Sequence, residues 1–196
     1  GPAEAFARWA TGVRFAPAVV AARLAIWREQ ARDAHRAGLA ARRAGDLAAA
    51  TIALREGARA LRLVLIEGWG ERLGSMGREW TRFERIAARH GGAAAATRIA
   101  ALAGADPAAA GVVLPHTPPW LRERIDLALA ARRAIGEEVS PEENARDQLA
   151  AFRVHVSRHR PDLGGAWLGL PDPDLAARFA ELGALLAEHG APPPHP

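Results

Sequence analysis

The sequence predicts an all-α protein, an antiparallel bundle of about six or seven helices. Three observations carry this expectation. Apolar residues recur at alternating threes and fours over long stretches, short Gly- or Asp-containing turns separate those stretches, and no alternating segment is long enough for a strand.

From Pro17 to Ala44 the residues Val20, Leu24, Trp27, Ala31 and Ala34 form one seam, with Arg23, Arg28, Arg32 and Arg36 mostly off it. Gly45 supplies a stop, and Asp46 the N-cap of a second helix running through Leu54, Leu61 and Leu65 to Glu67. Gly68, Gly70 and Gly74 interrupt the pattern, Ser75 is placed to cap a third helix, and Gly91-Gly92 ends it. An Ala-rich helix over 93–103 follows, then an irregular stretch from Gly104 to Pro119 in which Asp106-Pro107 can start one turn.

Thr117-Pro118 opens a helix reaching Ile135. Ser140-Pro-Glu-Glu143 is a capping box for a helix with Ala145, Leu149, Phe152 and Val156 on one stripe. Pro161 to Pro171 reads as a Gly-rich linker containing Trp167, Asp172-Pro173 starts a last helix to His189, and residues 191–196 read as a disordered proline tail. The expected organisation is an N-terminal segment over 1–15, a bundle with the ligand site over 16–136, C-terminal helices packing on it over 137–190, and the tail. Gly1-Pro2 resembles the remnant of a cleaved tag, which makes the chain read as an excised piece. The run Arg43 to Ala50 has a tetratricopeptide flavour, but no second copy lies about 34 residues away.

Composition removes much chemistry. All 26 basic residues are arginine, and Lys, Cys and Tyr are absent. Without Lys there is no Schiff base and no Walker lysine; without Cys there is no disulfide, thiolate nucleophile or Cys-ligated zinc. Because 22 acids offset the arginines, the net charge is only +4, and the pI of about 11.1 reflects the guanidinium pKa rather than a nucleic-acid partner. The Ala and Arg abundance reads as a bacterial-like codon-composition bias as much as an adaptation, which lowers what any single arginine implies. No Rossmann or Walker glycine spacing occurs. With no apolar run of about 20 residues and no signal peptide, the expected location is cytoplasmic, without a membrane partner.

The stretch Gly77 to His90 is the most informative. As a helix it places Arg78, Arg82, Arg85 and Arg89 on one face and Trp80, Phe83 and Ala87 on another. Such a guanidinium stripe can hold phosphate or carboxylate bidentately. Trp69, Trp80 and the glycines at 68, 70, 74 and 77 cluster with it. Glu67, at the end of the apolar run from Leu63, is the candidate for a general base or a cation ligand.

Other motifs point less far. Arg85 and His90 fit the Arg-x4-6-His spacing of HEPN-type ribonucleases, but Arg28 with His35 and Arg153 with His159 fit equally, and chance supplies about three such pairs at this arginine content. His155 and His159 have metal-ligand spacing with Asp162 or Glu143 as third ligands, yet no HExxH glutamate is present and Arg158 opposes a cation; surface histidines and no metal site are expected. Glu137-Glu138 and Glu142-Glu143 read as helix-terminus charges.

The runs Arg43-Ala-Gly-Asp46, Glu67-Gly-Trp-Gly70 and Gly77-Arg-Glu-Trp-Thr-Arg-Phe-Glu-Arg-Ile-Ala87 resemble the helical substrate-binding domain that follows the catalytic domain in kanamycin-nucleotidyltransferase-like proteins, within the broader HEPN-like helical group. The likeness covers roughly Ala16 to Arg133 and lies in helix lengths plus one motif-like stretch. It implies a domain lining the acceptor side of a cleft, with Glu67, Trp69, Arg78, Trp80 and Arg82 recognising a small molecule; Arg85 joins them as part of the stripe. The Gly-Ser and paired-Asp signature of the catalytic domain is absent. The chain itself is therefore expected to hold no cofactor and to be non-catalytic alone, with ATP and Mg bound by a catalytic domain elsewhere. The expected partners are a small-molecule ligand or that catalytic domain, with a homodimer compatible and nucleic acid not favoured. Two alternatives stand beside this: an interaction or ligand-binding bundle unrelated to nucleotide transfer, and an RNA-acting HEPN module.

Overall fold

The computed structural model describes residues 1–72, 77–159 and 169–190. Among these it contains nine α-helices, one 3-10 turn and no strand, so the all-α bundle expected from the sequence is observed. The helices are α1 (Pro2–Arg14), α2 (Pro17–Arg43), α3 (Leu47–Gly68), α4 (Glu79–Arg89), α5 (Ala93–Leu102), α6 (Pro107–Val113), α7 (Pro119–Ala134), α8 (Pro141–His159) and α9 (Leu175–His189), with the 3-10 turn at Leu114–His116 between α6 and α7.

The hairpin of α2 and α3 is the frame. Gly45 takes a left-handed φ of +80°, and the amide of Asp46 returns to the Ala41 carbonyl at 3.0 Å, which ends α2 without a Cβ clash. The Asp46 carboxylate then caps α3 through the Ala49 amide at 2.9 Å. Leu54, Leu61 and Ile66 of α3, Phe83 of α4, Ile99 of α5, and Leu182 and Leu185 of α9 make the centre of the main core. A second apolar cluster joins Val113 of α6, Leu121 and Ile125 of α7, and Ala145 and Leu149 of α8. Each fully buried large side chain contributes about 1.5–3 kcal/mol. The C-terminal helices thus pack in two ways, α9 completing the main core and α8 forming the second cluster with α6 and α7.

Glycine sets the closeness of α9. A Cβ on Gly38 of α2 would overlap the Phe179 ring, and one on Gly57 of α3 would stand 2.9 Å from Leu182 Cδ2. Gly38→Ala is expected to lower stability by about 1–3 kcal/mol in urea denaturation, because overpacking outweighs the roughly 1 kcal/mol by which Ala favours helix. A variant as stable as the parent would refute this contact.

Within the N-terminal segment, residues 2–14 form a helix, α1, which meets α2 at 54° and buries none of its residues; Phe6, Trp9 and Val13 are exposed, and no described element covers its apolar side. The structure corrects three expectations. The stretch Gly104 to Pro119 is mostly helical: Asp106 caps α6 through the Ala109 amide at 2.7 Å, and the 3-10 turn follows. The Arg-striped helix starts at Glu79, with Arg78 at its N-cap. The last helix is capped by Asp174, while Asp172 pairs instead with Arg178 at 2.9 Å. The capping box at Ser140 is formed, the Ser140 amide donating to Glu143 Oε2 at 2.7 Å and the Glu143 amide to Ser140 Oγ at 3.1 Å.

Ser75, the linker over 161–168 with Trp167, the side chains of His155, Val156 and His159, and the tail at 191–196 lie outside the described residues. The stretch Ala93–His116 is apolar enough to span a membrane by composition, yet it divides at Gly104 to Asp106 into α5 and α6 and contributes buried residues to both clusters.

Candidate functional site

The start of α4 is held from another helix. Among the described residues no side chain of its own segment caps it; Asp147 of α8 does so, its Oδ1 accepting from the Trp80 amide at 2.8 Å and the Thr81 amide at 3.1 Å. Asp147 Oδ2 accepts from Thr81 Oγ1 at 2.7 Å and from Arg132 Nη1 of α7 at 3.0 Å. Asp147 is 1% exposed and Arg132 4%, so a helix terminus, a carboxylate and a guanidinium neutralise one another inside the protein. Arg146 adds a hydrogen bond to Thr81 Oγ1 at 3.1 Å and a pair with Glu84 at 2.7 Å.

This seating turns the apolar side of α4 inward. Trp80 is 1% exposed and Phe83 fully buried, their rings edge to face at 6.1 Å. The Arg62 guanidinium lies 4.5 Å from the Trp80 ring centroid and donates to Glu79 at 3.2 Å. Trp80 is therefore a core residue, with its surface taken by Arg62 and Phe83. Trp69 is half-buried, stacked on His90 at 5.3 Å and on Phe83 at 6.2 Å, and Gly92 leaves room for its ring.

The arginine stripe faces outward as expected, but its members differ. Arg78 pairs with Glu137 at 3.2 Å; Arg85 lies 3.8 Å from Glu137 and also donates to the Glu138 carbonyl; Arg89 pairs with Glu71 at 3.1 Å. Glu137 also accepts from Arg132 at 2.9 Å. Burial works against the Glu137 charge, yet hydrogen bonds from Arg132 and Arg78 outweigh it and hold this carboxyl below its ordinary value. The Arg132 guanidinium is raised in turn, because the bonds to Glu137 and Asp147 overcome its own burial. At the other end of α4, hydrogen bonds from Arg89 and then His90 hold Glu71 below the ordinary carboxylate value. Arg82, at the middle of the stripe, is exposed, and no carboxylate of the described residues makes an ion pair with it.

Glu67 is buried, but Arg23 of α2 clamps it bidentately at 2.9 and 2.8 Å, and Arg72 stands 3.8 Å away. A carboxylate held this way ties α2 to the end of α3. His90 and Arg85, the ribonuclease-spaced pair, belong to different neighbourhoods: the His90 ring lies on Trp69 with Nε2 3.5 Å from Glu71, whereas Arg85 reaches the α7–α8 turn. Among the described residues no group of three or more potential metal ligands occurs. A groove of about 380 Å³ lies apart from α4, between α7 and the start of α8, lined by Leu114, Pro115, Ile125, Leu129 and Ala145 with Arg122 and Asp126 at its edge.

Sequence reasoning missed Asp147, Arg132 and Arg146. In the sequence they are ordinary charges on two amphipathic helices, only the α4–α8 crossing joins them, and no local signal pairs them with the start of α4. No family model matches the chain, and no curated protein or solved structure does either.

Proposed function

We propose that the bundle is a recognition module that takes a small polar or anionic molecule over the outer arginine face of α4. Arg82 carries this reading. Its stripe neighbours Arg78, Arg85 and Arg89 are tied to Glu137 and Glu71 at the two ends of the helix, which leaves one exposed guanidinium without a carboxylate between them. The buried underside of Trp80, Phe83, Ile86 and Ala87 and the Asp147 cap fix the helix that presents it. A guanidinium carried on a fixed helix is suited to a phosphate or carboxylate through its planar fork of donors.

The sequence runs at 43–46, 67–70 and 77–87 support a narrower form, the helical substrate-binding or accessory domain of a nucleotidyltransferase-like protein. In that form ATP and Mg are held by a separate catalytic domain, and Trp69, beside the stripe, offers the aromatic surface.

The test is a thermal-shift and calorimetric screen against nucleotides, aminoglycoside-like polyamines and sugar phosphates. A stabilising ligand is expected whose affinity falls about ten-fold or more in Arg82→Ala, the worth of one charge-assisted hydrogen bond. A response to none of these compounds, or a response unchanged in the variant, overturns the reading.

A further inference from the structure

The groove between α7 and the start of α8 joins an apolar lining to two opposite charges. Leu114, Ile125, Leu129 and Ala145 supply most of the wall, and its volume of about 380 Å³ falls in the range of small-molecule sites, about 300–1,000 Å³. The two charged residues that line it are Arg122 and Asp126, four apart on α7 and therefore on one face of that helix.

An arginine and an aspartate at this spacing have Cβ atoms about 5–6 Å apart and ordinarily pair with each other. Here they do not. Arg122 turns back toward the segment before α7, its Nε donating to Thr117 Oγ1 at 3.3 Å and its Nη2 to the Pro115 carbonyl at 2.7 Å. Thr117 is itself fixed, 3% exposed and donating through Oγ1 to the Leu114 carbonyl at 2.7 Å. Two uncharged oxygens thus hold the guanidinium in place without neutralising it. Its Nη1 is left over, together with the second hydrogen of Nη2, and these form the end-on fork that a carboxylate accepts. Asp126 is exposed and makes no ion pair with any described residue.

We infer that this groove binds a free α-amino acid with an aliphatic or aromatic side chain. Its carboxylate takes the Arg122 fork, its ammonium takes the Asp126 carboxylate, and its side chain lies on the apolar lining. The charge pattern selects this class. A simple anion meets repulsion from Asp126, a simple cation meets repulsion from Arg122, and a wholly apolar molecule leaves both charges without a partner. An amino acid carries both charges on one carbon, which suits two residues one helical turn apart. The site is separate from the α4 face and does not rest on the reading given for it.

The experiment titrates the whole chain by calorimetry with L-phenylalanine, N-acetyl-L-phenylalanine, L-phenylalanine amide and glycine. Phenylalanine is expected to bind, and the other three, which lack the cation, the anion and the side chain in turn, to bind about ten-fold or more weakly. Asp126→Asn gives up no contact with a described residue, so the fold is expected to be unchanged by circular dichroism. In that variant phenylalanine is expected to lose about ten-fold in affinity, whereas N-acetyl-L-phenylalanine, which has no ammonium to lose, binds as it does to the parent. Arg122→Gln is expected to give the mirror result, phenylalanine weakened and the amide unchanged. Absence of phenylalanine binding, or phenylalanine affinity unchanged in Asp126→Asn, overturns the assignment. Equal binding of the amide, which points to the first residue of a peptide, or of the N-acetyl compound, which points to the last, overturns it as well.

Discussion

Asp147→Ala is expected to cost the folded chain about 4 kcal/mol or more, measured by urea denaturation followed by circular dichroism. Two losses combine. The Trp80 and Thr81 amides at the start of α4 lose their acceptor, worth about 1 kcal/mol as a helix cap. The Arg132 guanidinium, 4% exposed, loses a carboxylate at 3.0 Å, and removing one partner of a buried ion pair costs about 3–5 kcal/mol. Arg132 keeps Glu137, which places the expected total at the lower end of that combination. Replacing both residues, Asp147→Ala with Arg132→Met, is expected to recover part of the loss because no uncompensated charge is then buried. A loss below about 1 kcal/mol in the single variant would show that α8 does not cap α4 in solution.

The contrast between what could be read from the chain and what could not follows the range of the interactions. Asp46 and the Ser140 box act on amides three residues away, so sequence alone locates them, and the apolar seam of α2 declares itself through Leu24, Trp27 and Ala31. Asp147 acts on amides 66 and 67 residues earlier, and nothing in its own neighbourhood signals that. The arginine stripe illustrates the same limit. Its geometry was legible as helical spacing, but whether each guanidinium is free depends on Glu71 and Glu137, which lie on other segments. The aromatic residues divide likewise: Trp69 and Trp80 look alike as sequence neighbours of glycine and arginine, and only packing makes one half-exposed and the other a core residue.

Trp80→Ala is the second large expected effect, a loss of about 3–5 kcal/mol, and it bears on how any binding experiment is interpreted. The indole is 1% exposed, so its removal forfeits the whole burial and leaves a cavity beside Phe83. Its removal also strips the ring from beneath Arg62, whose Nε and Nη1 have no hydrogen-bond partner and whose remaining carboxylate contact is Glu79 at 3.2 Å. For a chain of ordinary stability, about 5–15 kcal/mol, this moves a large part of the folding reserve. Weaker ligand binding by Trp80→Ala would therefore report partial unfolding before it reported a lost contact. Trp80→Phe separates the two, because it keeps an aromatic face under Arg62 and is expected to lose less than half as much stability. Trp69→Ala removes a half-buried ring stacked on His90 and is the cheaper change to the fold. Ligand affinity lost in Trp69→Ala and retained in Trp80→Phe would place the aromatic contribution to recognition at Trp69, beside Arg89 and Glu71; the reverse pattern would require Trp80 to become exposed when ligand binds, and denaturant sensitivity measured with ligand present would show it.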